Sequence, residues 1–284
     1  MRTGLVLGAG GVVGASWLIG ALEALTDEGW DPRSADRIVG TSAGAIIGAL
    51  LADGVPPSTM SAYLRGGSLD GLAGLSDRGE GAAAGLTPDA YRLQLSLPSF
   101  GPGSWRLAVS TAMRPHRHSP SAVLSGWLPR GILSTAPISS LVSQLIPGDW
   151  PADTSFWTVA TDYRSGGRVV FGRHDAPALP IGAAVAASCA IPGFYAPVCA
   201  DGRRYVDGGM TSPSNLDVLH GEDLDLVICL NPSSTPVERA GRSPAAHVAR
   251  FFRTAARRQL EREAQALREH GTRVVLLQPT TDDL

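Results

Sequence analysis

One stretch constrains this chain more than any other: Asp36-Arg-Ile-Val-Gly40-Thr41-Ser42-Ala43-Gly44-Ala-Ile-Ile-Gly-Ala-Leu50. A short apolar run ends in the pentapeptide Gly40 to Gly44, of the form G-x-S-x-G, and an apolar run of helical character follows. That order of strand, serine and helix is what a nucleophile elbow needs. The serine has to sit on a sharp turn that projects its hydroxyl beyond the sheet. Glycines two residues to either side keep side chains out of the turn. A helix beginning near Ala43 aims its positive N-terminal end at the reacting oxygen. In a chain with 34 glycines the pentapeptide alone also fits an ordinary strand-to-helix turn.

The second constraint is Gly4-Leu-Val-Leu-Gly8-Ala-Gly10-Gly11-Val12-Val13-Gly14, a strand ending in a glycine-rich loop that runs into a helix. Such a loop bares backbone N–H groups toward an anion. A dinucleotide fingerprint would need glycine where the chain has Val13, and an acid where its second strand ends in Gly40. The favoured reading is an oxyanion hole made by the amides of Gly10, Gly11 and Val12. A turn that merely permits close packing is the third reading. Downstream, Arg204-Tyr-Val-Asp207-Gly208-Gly209 delivers a carboxylate into a Gly-Gly turn. Asp207 there is placed to take the proton of Ser42 as it attacks. Alone, it would read as an Asp-Gly hairpin turn.

In order and spacing these pieces resemble the patatin-like phospholipase family. The pattern there is a Gly-Gly-x-Arg/Lys-Gly oxyanion loop, a G-x-S-x-G nucleophile and an Asp-Gly-Gly or Asp-Gly-Ala aspartate. A fourth block matches as well: Ala187-Ser188-Cys-Ala-Ile-Pro192 is similar to the Ala-Ser-x-x-x-Pro segment ahead of the aspartate. The resemblance covers roughly residues 3 to 231. It departs at Val13, where most members carry Arg or Lys, so a fixed positive charge is missing beside the loop. The resemblance implies a three-layer α/β/α fold and a Ser42–Asp207 dyad without histidine. An ordinary aspartate, with a pKa near 4, is a poor base at pH 7, so a dyad needs a partly dry site that raises it. A triad from Ser42, Asp207 and His220 remains as a minor alternative. The other histidines are His116, His118, His174, His247 and His270.

Composition narrows the classes. The 284 residues are 44% hydrophobic and 18% charged, enough for one large α/β domain. The net charge of −2 points to no nucleic-acid partner. All 24 basic residues are arginine, which excludes lysine Schiff-base chemistry, a Ser–Lys dyad and a Walker lysine. Cys189, Cys199 and Cys229 have no metal-ligand spacing and read as core fillers of a reducing compartment. No metal or cofactor is called for, and the oligomeric state is not legible. Residues 3 to 22 are uncharged and mostly apolar, yet their glycines argue against one continuous helix. A cytoplasmic protein without an export signal is the expectation.

The alternation of patterns predicts a mostly parallel central sheet sandwiched by helices in a single domain spanning 1–284. Strands are expected near 3–8, 36–40, 156–161, 168–171, 224–230 and 273–278. Helices are expected near 14–28, 43–53, 181–189 and 245–270. The last is amphipathic and basic, and packing on the sheet is favoured over transient contact with a membrane surface. Residues 65–135, rich in Gly and Pro with interspersed Leu93, Leu95, Leu97, Phe100, Trp105, Leu124 and Trp127, read as a cap. Phe100, Trp105 and Trp127 are its candidate substrate contacts. The leading functional expectation is a serine hydrolase of lipid esters, phospholipid or neutral acylglycerol. An acyltransferase using the same acyl-enzyme and a non-catalytic binding protein are the alternatives.

Overall fold

The computed structural model describes residues 1–65, 103–113, 120–146, 150–151, 155–234 and 244–280. Phe100, Leu93, Leu95, Leu97, His116 and His118 lie outside them, as do the side chains of Leu124, His247, Val248, Phe251 and Phe252. Five strands run parallel: β1 (Thr3–Leu7), β2 (Arg37–Gly40), β3 (Ser155–Asp162), β7 (Leu226–Leu230) and β8 (Arg273–Leu277). β3 also pairs antiparallel, with β4 (Arg168–Phe171) on the edge away from β2 and, beyond the end of β2, with β6 (Arg203–Asp207), which in turn pairs with β5 (Val198–Ala200). The order is β5-β6-β3-β2-β1-β7-β8, with β4 paired to β3.

The side-chain alternation of the strands sorts the core into two faces, as a period of two requires. Leu5, Leu7, Ile38, Phe156, Ile228 and Leu230 pack on one side with α1 (Gly11–Asp27), α2 (Ala43–Ala52), α6 (Ala136–Leu145) and α7 (Ile181–Ser188). Val6, Val39, Trp157, Val159, Val227 and Cys229 pack on the other with α8 (Pro244–Glu269) and the 3-10 turn Leu216–Leu219. The result is the expected three-layer arrangement. In α8, Leu260, Ala264 and Leu267 are buried on the sheet while Arg257, Arg258, Arg262 and Arg268 are exposed. No helix among the described residues is long and apolar enough to cross a membrane.

Three features depart from the sequence reading. The first helix begins at Gly11, three residues early, because Gly11 takes φ +60 and lets the chain turn into the helix directly from the loop. Two helices with weaker patterns, α3 (Pro57–Leu64) and α6, join the core. Cys199 is exposed on a short edge strand, so only Cys189 and Cys229 are core fillers. Within 65–135 the described helices are α4 (Trp105–Met113) and α5 (Pro120–Trp127), and they pack against each other.

Candidate active site

Strand β2 ends at Gly40 and α2 begins at Ala43, leaving Ser42 to turn the chain at φ 55 and ψ −121. For a residue with a Cβ this costs on the order of 1–3 kcal/mol and persists only where the surroundings impose it. Here they do. The Ser42 amide donates to Ser188 Oγ at 2.9 Å, and Ser188 Oγ donates to the Val159 carbonyl at 2.6 Å. The Ser42 carbonyl accepts from Ala45 N–H at 2.8 Å and from Cys189 Sγ at 3.3 Å. The elbow presses so closely on β1 that a Cβ on Gly44 would meet the Leu7 carbonyl oxygen at 2.1 Å. Glycine at that position is therefore a packing requirement.

Asp207 ends β6 beside the elbow, since β3 carries Thr158 opposite Gly40 and, two residues on, Ala160 opposite Asp207. Its amide donates to the Ala190 carbonyl at 2.9 Å, its own carbonyl accepts from Thr161 Oγ1 at 3.1 Å, and Oδ1 accepts from Gly209 N–H at 2.7 Å. Asp207 is 2% exposed. Burial pushes it up from its ordinary 3.8 to about 6, against the Ser42 hydroxyl and the Gly209 amide, whose hydrogen bonds favour the charged form. Asn215, at φ 53, locks the two halves of the site together. Its Nδ2 donates to Thr41 Oγ1 at 3.0 Å and to the Ser212 carbonyl at 2.6 Å, behind elbow and aspartate alike.

The loop 8–11 leaves β1 and enters α1 with Gly10 as its cap, and no side chain bonds the first-turn amides. Amides in a helix's first turn have no partner within the helix, so those of Gly11 and Val12 are open to an anion. A Cβ added to Gly209 would meet the Ala9 Cβ at 3.3 Å, so this loop lies against the aspartate turn. Gly11, Val12 and Ser42 line one cavity of about 400 Å³. Its other walls are apolar: Ile46 and Leu50 of α2, Met60 of α3, Leu141 of α6, and Phe194. The cavity follows α2 from Ser42 to Leu50, eight residues and so about 12 Å at ~1.5 Å per residue.

The structure thus brings Ser42, Asp207 and the loop 10–12 together. Trp105 and Trp127 are corrected: neither lines this cavity, and both lie exposed on α4 and α5. His220, the minor triad alternative, lies apart from the site. It follows Leu219, which packs against Gly4 at the start of β1, whereas the elbow lies beyond the opposite ends of the strands; its ring instead faces His270, with centroids 4.2 Å apart. Two participants escaped the sequence reading. Ser188 lay inside the quoted Ala-Ser-x-x-x-Pro block, but its bond to Ser42 spans 146 residues of chain. The groove wall had one signal: α2 is apolar all round, which calls for cover on every face, yet Ile46 and Leu50 stay only half-buried.

Comparison with known proteins gives the same direction. A family model described as patatin-like phospholipase matches residues 5–220. Uncharacterized NTE family proteins of Mycobacterium tuberculosis and Mycobacterium bovis are 30% identical over 230 residues, 81% of this chain and 49% of theirs. The chain spans about half the length of these relatives. Among solved structures, VipD from Legionella pneumophila overlaps 87% of this chain and 52% of its own, at 16% identity and a TM-score of 0.44. The ExoU–SpcU complex of Pseudomonas aeruginosa overlaps 93% and 52%, at 20% identity and a TM-score of 0.36. These two overlaps are too loose to bear on function.

Proposed function

The chain belongs to the patatin-like phospholipase family, and from that membership we propose that it is a serine hydrolase of carboxylic esters of lipids, phospholipid or neutral acylglycerol. One observation carries the reading: a buried carboxyl with its pKa raised to about 6 lies against a serine held at positive φ, at the head of an apolar groove of about 400 Å³.

In this reading the acyl chain lies along α2 and places its ester carbonyl over Ser42. Ser42 Oγ attacks the carbonyl carbon while its proton passes to the Asp207 carboxylate. The carbonyl π electrons move to oxygen, and the amides of Gly10, Gly11 and Val12, with the positive end of α1, hold the resulting oxyanion. The tetrahedral species collapses with loss of the alkoxide, which takes the proton from Asp207 and leaves as the alcohol. Water then attacks the acyl-enzyme, giving its proton to Asp207. Collapse releases the carboxylic acid as Ser42 recovers its proton. Burial is what fits an aspartate to this task, because it brings the base close to neutral pH. An added alcohol acceptor in place of water would divert the same acyl-enzyme to transfer, and product analysis with such an acceptor separates the two outcomes.

A fluorophosphonate probe is expected to label Ser42 alone, with the adduct located by mass spectrometry, and the Ser42→Ala chain is expected to stay unlabelled. Labelling that persisted in the variant would refute the assigned nucleophile.

A further inference from the structure

We infer that the rim of the sheet above the active site is a docking surface for an anionic lipid bilayer, built from an arginine cluster beside an exposed apolar stripe on α4. Two adjoining depressions, of about 290 and 670 Å³, are lined by Arg106, Arg130, Arg164, Arg203 and Arg204 from four separate segments. None of the five makes an ion pair among the described residues, whereas Arg33, Arg37, Arg65, Arg168, Arg173 and Arg257 each do. The acids nearby are Asp162, whose Oδ1 is occupied by the amides of Arg164 and Ser165, Asp201 in the adjacent turn, and, on the far side of Arg203, Asp175 and Asp217, which pair with Arg173 and Arg168. The cluster is therefore net positive. Guanidinium groups gathered in one cleft raise the local potential and draw anions to it.

The helix beside the cluster argues that the anion belongs to a bilayer rather than to a small solute. Trp105, Val109 and Met113 recur every four residues and form one stripe, 64%, 50% and 75% exposed, while Leu107, Ala108 and Thr111 are buried on the opposite face. Arg106 and Ser110 lie between stripe and cleft and line the larger depression. Trp127 of α5 adds a second indole, 50% exposed. A free phosphate has no use for such a stripe. An apolar face with tryptophan beside arginine suits the boundary between headgroups and acyl chains.

Placement supports the same partner. Parallel strands put every β-to-α loop at one end of the sheet, and Arg203 and Arg204 lie three or four residues before Asp207 at that end. Arg130 precedes Gly131, which packs so tightly that a Cβ there would meet the Phe194 carbonyl carbon at 2.3 Å. Phe194 and Ile191 line the groove and are exposed at its mouth. A bilayer seated on the arginines therefore meets the opening of the groove. What it delivers there rests on the hydrolase reading; the docking does not.

The test is sedimentation of the Ser42→Ala chain, which spares the lipid, with vesicles of phosphatidylcholine alone and with phosphatidylglycerol added. Binding is expected only to the anionic vesicles, weakening as salt is raised. The Arg106→Glu/Arg164→Glu variant should bind about tenfold more weakly or worse. A Trp105→Ser/Met113→Ser variant, which leaves the charges in place, should also lose binding. Equal sedimentation with neutral vesicles, or full binding by either variant, overturns the proposal. So does tight binding of inorganic phosphate, by titration calorimetry, accompanied by no loss in the Trp105→Ser/Met113→Ser variant. Sedimentation involves no chemistry, so a parent chain that turned over no ester would sink the hydrolase reading and leave this result standing.

Discussion

Asp207 is the residue on which the chemistry and the cost of the site meet. Its carboxyl titrates at about 6 because burial disfavours the charge, and in the proposed mechanism it serves as a base only when unprotonated. kcat/KM for a soluble ester is therefore expected to rise with pH through about 6 and to level off above it. Asp207→Asn keeps an oxygen for the Gly209 amide but has no basic lone pair of use. It should lower kcat by about 10²–10⁴, the range of a general base. A pH profile that stayed flat from 5 to 8, or a variant within a few-fold of the parent, would mean that another group takes the proton. Val13 marks the other departure at this scale. It leaves the loop 10–12 with backbone donors and an exposed apolar side chain, and with no cation at that position.

At the scale of elements, α2 does two jobs. Its first turn sets the elbow, and its outer face, Ile46 and Leu50, forms one wall of the groove. A helix end fixed by Gly44 against β1 makes the groove's depth a matter of counting residues along α2. Leu50→Trp places a larger side chain about 12 Å from Ser42, by ~1.5 Å per residue. Turnover of long-chain esters is expected to fall ~10-fold or more, while esters of short acids keep theirs. Equal losses for both would show that the chain does not lie along α2. The tertiary contact that matters most to this element is Ser188 of α7. Its hydroxyl accepts from the Ser42 amide and donates to the Val159 carbonyl, so α7, the elbow and β3 are tied at one atom.

At the scale of the whole molecule, two carboxyls are buried among the described residues, Asp207 and Glu263. Burial raises both, Glu263 further through the charge of Asp217, while Ser214 and Ser212 hydroxyls and Arg168 pull it back. Glu263 Oε2 accepts from Ser214 Oγ at 2.6 Å and Leu216 N–H at 3.1 Å, so α8 is bound to the segment that follows the aspartate. Between pH 3.8 and about 6 the folded chain keeps a proton on Asp207 that the unfolded chain has released. Raising the pH across that window therefore favours unfolding. The cost by pH 7 is about 3 kcal/mol, at ~1.36 kcal/mol per pH unit. Thermal melting of Asp207→Asn beside the parent should show the variant gaining stability over that window and holding the gain above it. A variant less stable than the parent at pH 8 would mean that the Asp207 charge is compensated in the fold.

By itself the sequence determined the five parallel strands, the elbow and the order of the three motifs. Each is encoded locally, by short continuous apolar runs at β1, β2 and β7, buried on both faces, and by glycines at 40 and 44 that only a tight turn requires. It could not place Trp105 and Trp127, because which side of the groove an insertion lies on is decided by packing between distant segments. Nor could it see Ser188 holding Ser42, the Gly209 turn meeting Ala9, or arginines from four segments converging on one rim. Those are consequences of tertiary structure: burial gives Asp207 its basicity, and the crossing of strands far apart in sequence decides which charges share a surface.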